Sequence, residues 1–129
     1  MKKKRILIVE DEESLLKLET ILLTVKGYEV SGVLTGNDAL KKISDEIFDL
    51  ILLDIMLPDI DGFEVCRRVK MDPRTSGIPV VMLTAKKNPD DHERGVASGA
   101  SAYLTKPFKS AMIIDVIEKL LHGSSSMVA

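Results

Sequence analysis

The segment DLILLDIMLPDIDGFEV (residues 49–65) decides the fold, because an apolar run in it ends on a carboxylate. Residues 50–53 are continuously apolar, which is typical of a strand that is buried on both faces. Asp54 ends the run, and no helix start follows at once for it to cap, since Leu57 and Pro58 come next. The pattern predicts a buried parallel strand that presents Asp54 at its carboxyl end.

Five short runs along the chain are rich in strand-forming residues, and segments with helical periodicity separate them. This alternation predicts an α/β fold in which helices cover both faces of a parallel sheet. We expect five strands and five helices. The predicted strands are residues 5–10, 28–33, 48–54, 78–84 and 101–105, and the clearest apolar helix faces are Leu15, Leu18, Leu22 and Val25, and Ile113, Val116, Ile117 and Leu120.

Capping residues mark several helix ends. Gly27 and Gly123 are placed as helix C-terminal caps, and Asn37 is placed as a helix start. Between residues 88 and 100 the only apolar anchors are Val96, Ala97 and Ala100, so we expect that helix to be loosely held.

Composition excludes several classes of function. The 129 residues, 45% of them hydrophobic, suit one domain with a single core, and a net charge of −2 gives no overall attraction to nucleic acid or anionic membranes. Cys66 alone cannot form an internal disulfide, and we interpret it as a small buried apolar residue on the third helix. No apolar run is long enough for a membrane span or an export signal, so a cytoplasmic protein is expected.

Reactive side chains follow four of the predicted strands, where open parallel sheets bind their ligands. They are Glu10 and Asp11 after the first strand, Asp54 after the third, Thr84 after the fourth and Lys106 after the fifth. Three carboxylates gathered together repel one another, and a hard divalent cation such as Mg²⁺ relieves that repulsion. The sequence thus predicts an acidic pocket flanked by a hydroxyl and an ammonium group.

Each of these residues also has an ordinary structural interpretation. Glu12 and Glu13 are best interpreted as acids at the start of a helix, and for Asp11 helix capping and ligand binding stay equally open. Thr84 alone suits a strand and Lys106 alone suits a solvated surface. Their joint placement at separate strand ends favours a site.

Four motifs together resemble the receiver domains of bacterial response regulators in two-component signalling: ILIVEDE (6–12), DLILLDIMLPDIDGFEV (49–65), IPVVMLTA (78–85) and AYLTKPF (102–108). The resemblance covers residues 4–122 and leaves 123–129 as a tail or a linker stub. It implies a flavodoxin-like, doubly wound sheet of five parallel strands in the order 2-1-3-4-5, with five helices.

The resemblance also implies roles for individual residues. Asp54 would be the phosphoacceptor, supplied by a histidine kinase or a small phosphodonor, and Thr84 and Lys106 would hold phosphoryl oxygens. Asp11, Asp54 and the backbone carbonyl of Met56 would bind Mg²⁺ or Mn²⁺, with Glu10 acting through water. Glu10 stands where the family more often has aspartate, and a water-mediated role tolerates the longer side chain.

Further positions would tune and transmit the signal. Tyr103 is expected to move in behind Thr84 when the acceptor is phosphorylated, and the peptide bond between Lys106 and Pro107 is expected in cis. Met56 and Lys86 occupy positions that tune dephosphorylation in the family. Because a thioether orients water poorly, self-dephosphorylation is expected to be slow.

The expected partners are a sensor histidine kinase or phosphotransfer protein, and an output partner or effector domain that contacts residues 88–122. Neither direct nucleic acid binding nor membrane association is expected of this domain, which is interpreted as a signalling module rather than an enzyme. A dimer that forms on phosphorylation is compatible with the resemblance. Whether the chain acts alone or belongs to a longer regulator stays open.

Two other interpretations are weaker. The segment DIDGF (59–63) has the aspartate spacing of a haloacid dehalogenase-type phosphatase, but Asp59 follows Pro58 rather than a strand, and Asp54 has Met56 two residues later. A flavodoxin-like cofactor binder would need aromatic residues around a flavin, whereas the chain has no Trp and two Tyr, and no Gly-rich loop follows the first strand.

Overall fold

The computed structural model describes residues 3–84, 89–105 and 109–122. Strands and helices alternate from the first element to the last, as the sequence predicts. Lys86, Lys106, Pro107 and Gly123 lie outside the described residues, and so do the expected cis peptide bond and the second glycine cap. The elements are β1 (Arg5–Val9), α1 (Glu13–Val25), β2 (Glu29–Val33), α2 (Gly36–Asp45), β3 (Leu50–Asp54), α3 (Gly62–Met71), β4 (Val80–Thr84), α4 (Pro89–Ser98), β5 (Ala102–Thr105) and α5 (Ser110–His122).

The five strands form one parallel sheet in the order β2-β1-β3-β4-β5, which confirms the predicted topology. Strand β3 lies at the centre, between β1 and β4. Its register pairs Leu53 with Val9 on one side and Asp54 with Leu83 on the other. The carboxyl ends of β1, β3 and β4 therefore lie side by side at one edge of the sheet.

Alternate residues of the central strands enter two separate cores. Leu7, Val9, Ile51 and Leu53 pack with side chains of α2 and α3, whereas their neighbours in sequence pack with side chains of α1 and α5. Every residue of β3 is buried. Burial on both faces explains why the run before Asp54 is continuously apolar rather than alternating.

Helix α1 presents a different face to the core from the one predicted. Leu18 and Val25, which we expected to pack inward, are 59% and 79% exposed. Leu23 is instead fully buried and Leu16 packs against the same core, with the carboxylate residue Glu19 between them at 3% exposure. Leucines occupy both faces of this helix. Because a glutamate lies on the inner face, the hydrophobic pattern did not identify that face as the buried one.

Other helix predictions agree better with the structure. In α5, Ile113 and Ile117 are buried as expected, and Gly27 follows α1 with a positive φ of 98° that favours glycine. Helix α2 begins one residue before Asn37, because Thr35 is its N-cap and accepts a hydrogen bond from the Asp38 amide at 3.1 Å. The predicted helix start at Asn37 was therefore wrong by one residue.

Among the described side chains of helix α4, residues 93–98, Gly95 is the one buried residue. Val96, which the sequence predicts as an apolar anchor, is instead 65% exposed. None of the helices within the described ranges is both long and apolar enough to cross a lipid bilayer.

Replacing Thr35 with alanine should destabilise the protein by about 1 kcal/mol, because the cap of α2 loses its side-chain acceptor. Asn37→Ala is the matched control, and it should change the free energy of unfolding by less than about 0.5 kcal/mol. Urea unfolding of both variants measures the difference. Equal destabilisation by the two substitutions would contradict the assignment of Thr35 as the cap.

Candidate functional site: an acidic cluster at the carboxyl edge of the sheet

Three carboxylates meet where β1 and β3 end. Glu10, Asp11 and Asp54 each offer an oxygen atom, and these oxygens lie within 4.8 Å of one another. The register explains the grouping: Val9 is paired with Leu53, so the residues that follow them, Glu10 and Asp54, lie level on neighbouring strands. The backbone of Glu10 also continues the pairing with β2 through its amide, which donates to the Val33 carbonyl.

Two of the three carboxylates are removed from solvent. Glu10 is 1% exposed and Asp54 is 4% exposed, whereas Asp11 is exposed and leaves the cluster open from outside. Backbone amides supply some compensation, since Glu12 donates to Glu10 at 3.2 Å and Met56 donates to Asp54 at 3.1 Å. A set of hard oxygen donors with like charges fits a divalent cation such as Mg²⁺ or Mn²⁺.

The two predicted switch residues lie on the neighbouring strands. Thr84 ends β4 and is fully buried, one residue beyond Leu83, the register partner of Asp54. Tyr103 is half-buried on β5 beside Met82, and its hydroxyl oxygen is buried. The structure thus places hydroxyl-bearing side chains on the two strands that follow β3 across the sheet.

The loop after Asp54 is fastened to a neighbouring helix by Asp59. Its carboxylate accepts hydrogen bonds from the Gly36 amide at 2.9 Å and the Asn37 amide at 2.8 Å, at the N-terminus of α2. Desolvation raises the pKa of Asp59, but these amide hydrogen bonds outweigh it and leave the pKa below its ordinary value. A carboxylate committed to a helix terminus does not suit the nucleophile role that the phosphatase interpretation gives to Asp59.

The same loop ends against the backbone of the acidic cluster. Asp61 caps α3 by accepting from the Phe63 amide at 2.8 Å, and the Gly62 amide donates to the Ile55 carbonyl at 3.0 Å. A Cβ atom at Gly62 would lie 2.6 Å from both the carbonyl oxygen of Asp54 and the Cα of Ile55. Glycine at this position lets α3 begin directly against the strand end that carries Asp54.

Sequence analysis did not identify the roles of Asp59, Asp61 and Gly62. The spacing of Asp61 and Glu64 matches a helix N-terminal signature and could have identified the cap. Asp59 binds amides 22 and 23 residues earlier, and no local pattern indicates such a contact.

Three further side chains, Cys66, Glu12 and Glu13, lie outside the cluster. Cys66 is fully buried, as predicted, and its thiol donates to the Ser98 carbonyl at 3.4 Å; desolvation raises the pKa of this thiol, which makes it unreactive. Glu13 lies in the first turn of α1, as expected. Glu12 occupies the N-cap position without a side-chain cap hydrogen bond and instead accepts from the Ser14 hydroxyl.

Fold and site together define a doubly wound α/β protein with an oxygen-rich, acidic pocket at the carboxyl edge of its sheet. Residues 6–118 match the family model described as "Response regulator receiver domain", so the chain belongs to that family. Receiver domains of two-component response regulators are phosphorylated on an aspartate.

Known relatives agree with this membership. The chain is 44% identical over 116 residues to the response regulator PleD of Caulobacter vibrioides, covering 90% of this chain and 26% of PleD. It is 38% identical over 124 residues to the phosphate regulon transcriptional regulatory protein PhoB of Rhizobium meliloti, covering 96% of this chain and 55% of PhoB. The chain therefore spans between about a quarter and about half of the length of these relatives.

Solved structures share the fold over nearly the whole chain. A CheY-like response regulator receiver domain protein from Methanospirillum hungatei superposes with a TM-score of 0.88 at 32% identity, covering 97% of this chain and 99% of that one. The chemotaxis protein CheY4 of Vibrio cholerae also gives a TM-score of 0.88, at 31% identity, covering 93% of this chain and all of that one.

Replacing Gly62 with alanine should destabilise the protein by about 1–3 kcal/mol, because the added methyl group meets backbone atoms that cannot rotate away. Gly77→Ala is the control, since nothing lies within 4 Å of a Cβ built there. Urea unfolding should show a clear loss for the first variant and little change for the second. A neutral Gly62→Ala would refute the close approach of α3 to the strand end that carries Asp54.

Proposed function

We propose that Asp54 is the phosphoacceptor of this receiver domain. The observation that supports this most strongly is the grouping of Glu10, Asp11 and Asp54, with Asp54 at the end of the central strand. A carboxylate oxygen of Asp54 attacks phosphorus, and an acyl phosphate forms as the bond to the donor breaks. The donor is the phosphohistidine of a sensor kinase or phosphotransfer protein, or a small phosphodonor such as acetyl phosphate.

The surrounding residues have distinct proposed roles. Asp11, Asp54 and the Met56 carbonyl hold Mg²⁺ or Mn²⁺, and Glu10 acts through water. The bound cation neutralises charge on the transferring phosphoryl group. Thr84 and Lys106 hold phosphoryl oxygens, and the lysine supplies positive charge where negative charge develops.

The fixed position of Asp54 supports this role. Its side chain accepts a hydrogen bond from the Met56 amide at 3.1 Å, and the next residue, Ile55, donates to the Leu83 carbonyl at 3.0 Å. Strands on both sides pair with β3, so the acceptor is attached to the central strand of the sheet. Positioning of this kind supplies much of the rate in phosphoryl transfer.

The signal leaves through α4, β5 and α5, within residues 88–122. Phosphorylation adds ~−1.5 to −2 charges and strong acceptor oxygens, which draw the Thr84 hydroxyl inward, and Tyr103 follows. An output partner or effector domain responds by preferring one of the two arrangements, and a phosphorylation-dependent dimer is one such response. The exposed thioether of Met56 orients water poorly, so this residue, together with Lys86, gives a long-lived acyl phosphate.

This receiver domain is proposed to act in the cytoplasm as a signalling module rather than as a multiple-turnover enzyme. Residues 4–122 form its receiver domain, and residues 123–129 form a tail or the start of a linker. The relatives include a transcriptional regulatory protein and DNA-binding response regulators, all longer than this chain. The net charge of −2 supports an output by protein contact rather than direct nucleic acid binding by this domain.

Incubation with acetyl phosphate and Mg²⁺ should add the mass of one phosphoryl group to the native chain. Asp54→Asn should remain unmodified, because an amide is not a competent nucleophile here. Intact-protein mass spectrometry provides the measurement, with Asp59→Asn as a matched control that retains the acceptor. Equal labelling of native protein and Asp54→Asn would exclude Asp54 as the acceptor.

A further inference from the structure

Arg94 joins helix α4 to the loop that follows β3. Its guanidinium donates to Asp61 at 3.1 Å and stacks over the ring of Phe63, with 4.2 Å from its central carbon to the ring centroid. Both charged side chains are about half exposed, at 52% and 47%. Neither contact arises from neighbours in sequence, since 33 residues separate Arg94 from Asp61.

The two oxygens of the Asp61 carboxylate have separate contacts. One accepts from the Phe63 amide at 2.8 Å and caps α3, and the other accepts from Arg94. Asp61 therefore belongs at once to the loop after β3, to the start of α3 and to the contact with α4. Any shift of the loop relative to α4 must change the geometry of the Arg94 contacts.

Among the described residues of α4, the close approach to the sheet is at Gly95, where a Cβ atom would lie 2.8 Å from the Tyr103 ring and 3.5 Å from the Met82 sulfur. The carbonyl of Ser98, the last residue of the helix, also accepts from the Cys66 thiol of α3. A glycine has no side chain to interlock with the sheet, and the adjacent Val96 is largely exposed. The contact with Tyr103 is nevertheless so close that the ring cannot move towards α4 unless the helix moves too.

These contacts join both sides of the acceptor. The loop carries Met56, whose amide binds the Asp54 carboxylate, and α4 touches Tyr103, which lies beside Met82 on the neighbouring strand. Arg94, the residue directly before Gly95, connects α4 to the loop. The loop, α4 and the Tyr103 ring are therefore mechanically linked through one half-exposed arginine.

We propose that Arg94 and Asp61 are positioning residues that hold α4 in its unphosphorylated arrangement, so that phosphorylation of Asp54 and release of Arg94 are coupled. This proposal rests on the proposed phosphoacceptor role of Asp54. Phosphorylation requires α4 to leave that arrangement, so loosening the Arg94 contacts raises the population of the state that reacts and with it the rate at which Asp54 is phosphorylated. A half-exposed ion pair and a cation–π contact are each modest, so we expect an effect of about fivefold.

Two substitutions test the link from opposite ends. Arg94→Gln removes the guanidinium, and Asp61→Asn retains an oxygen that can cap α3 while it removes the charge that pairs with Arg94. Arg67→Gln is the matched control: Arg67 is also 52% exposed and lines one surface groove together with Asp61 and Arg94, but it pairs with Glu64 within α3, at 2.6 Å. The readouts are the initial rate of phosphorylation by acetyl phosphate with Mg²⁺, and amide hydrogen exchange in α4 without a phosphodonor.

Arg94→Gln should be phosphorylated about fivefold faster than the native protein, Asp61→Asn should also be faster, and the α4 amides of both variants should exchange faster. The double variant should match Arg94→Gln, which already removes both the ion pair and the ring contact, and Arg67→Gln should match the native protein. Simple charge effects on an anionic phosphodonor predict opposite signs for Arg94→Gln and Asp61→Asn, so acceleration of both identifies the mechanical link.

Native rates for Arg94→Gln and Asp61→Asn, or rate changes of opposite sign, would overturn the coupling. Additive effects in the double variant would also overturn it, because the two residues would then act independently. These outcomes leave the phosphoacceptor assignment intact as long as the native chain is labelled and Asp54→Asn is not. A native chain that takes up no phosphoryl group would contradict the proposed function itself.

Discussion

The repulsion among Glu10, Asp11 and Asp54 is the constraint on which the site depends. Their oxygens lie within 4.8 Å of one another, and two of the three side chains are buried. Such a cluster is tolerated only where the backbone is held firmly and where positive charge can enter. The parallel sheet supplies the first condition through the pairing of β3 on both sides, and the exposed side of Asp11 supplies the second.

The loop after β3 shows how the rest of the structure supports that arrangement. Asp59 fastens the loop to α2, Gly62 lets α3 start against the backbone of Asp54, and Asp61 connects α3 to α4. Acids in this loop are therefore occupied with backbone amides or an arginine, while the acids at the strand ends remain together. This division of roles distinguishes the acidic cluster from a general concentration of negative charge.

Periodicity and strand-end chemistry predicted most of the fold, because a run such as residues 50–53 can be buried on both faces only in a covered parallel sheet. They failed where the orientation or the hydrogen bonding of a side chain depended on residues distant in sequence. Helix α1 carries leucines on two faces, and only packing decides that Leu16 and Leu23 face inward with Glu19. The bonds of Asp59 and Arg94 span 22 to 33 residues, so no local pattern could indicate them.

Urea unfolding of the native protein and Asp11→Asn, with and without Mg²⁺, tests the central claim most directly. Without the metal, Asp11→Asn should be more stable than the native protein by roughly 0.5–1 kcal/mol, because one repelling charge is gone. With Mg²⁺ at about a hundredfold its Kd, the native protein should gain about 2.7 kcal/mol and become the more stable of the two. Asp45→Asn, at the far end of α2, should follow the native protein in both conditions. Equal gains from Mg²⁺ in native protein and Asp11→Asn would contradict a cation site built from these carboxylates.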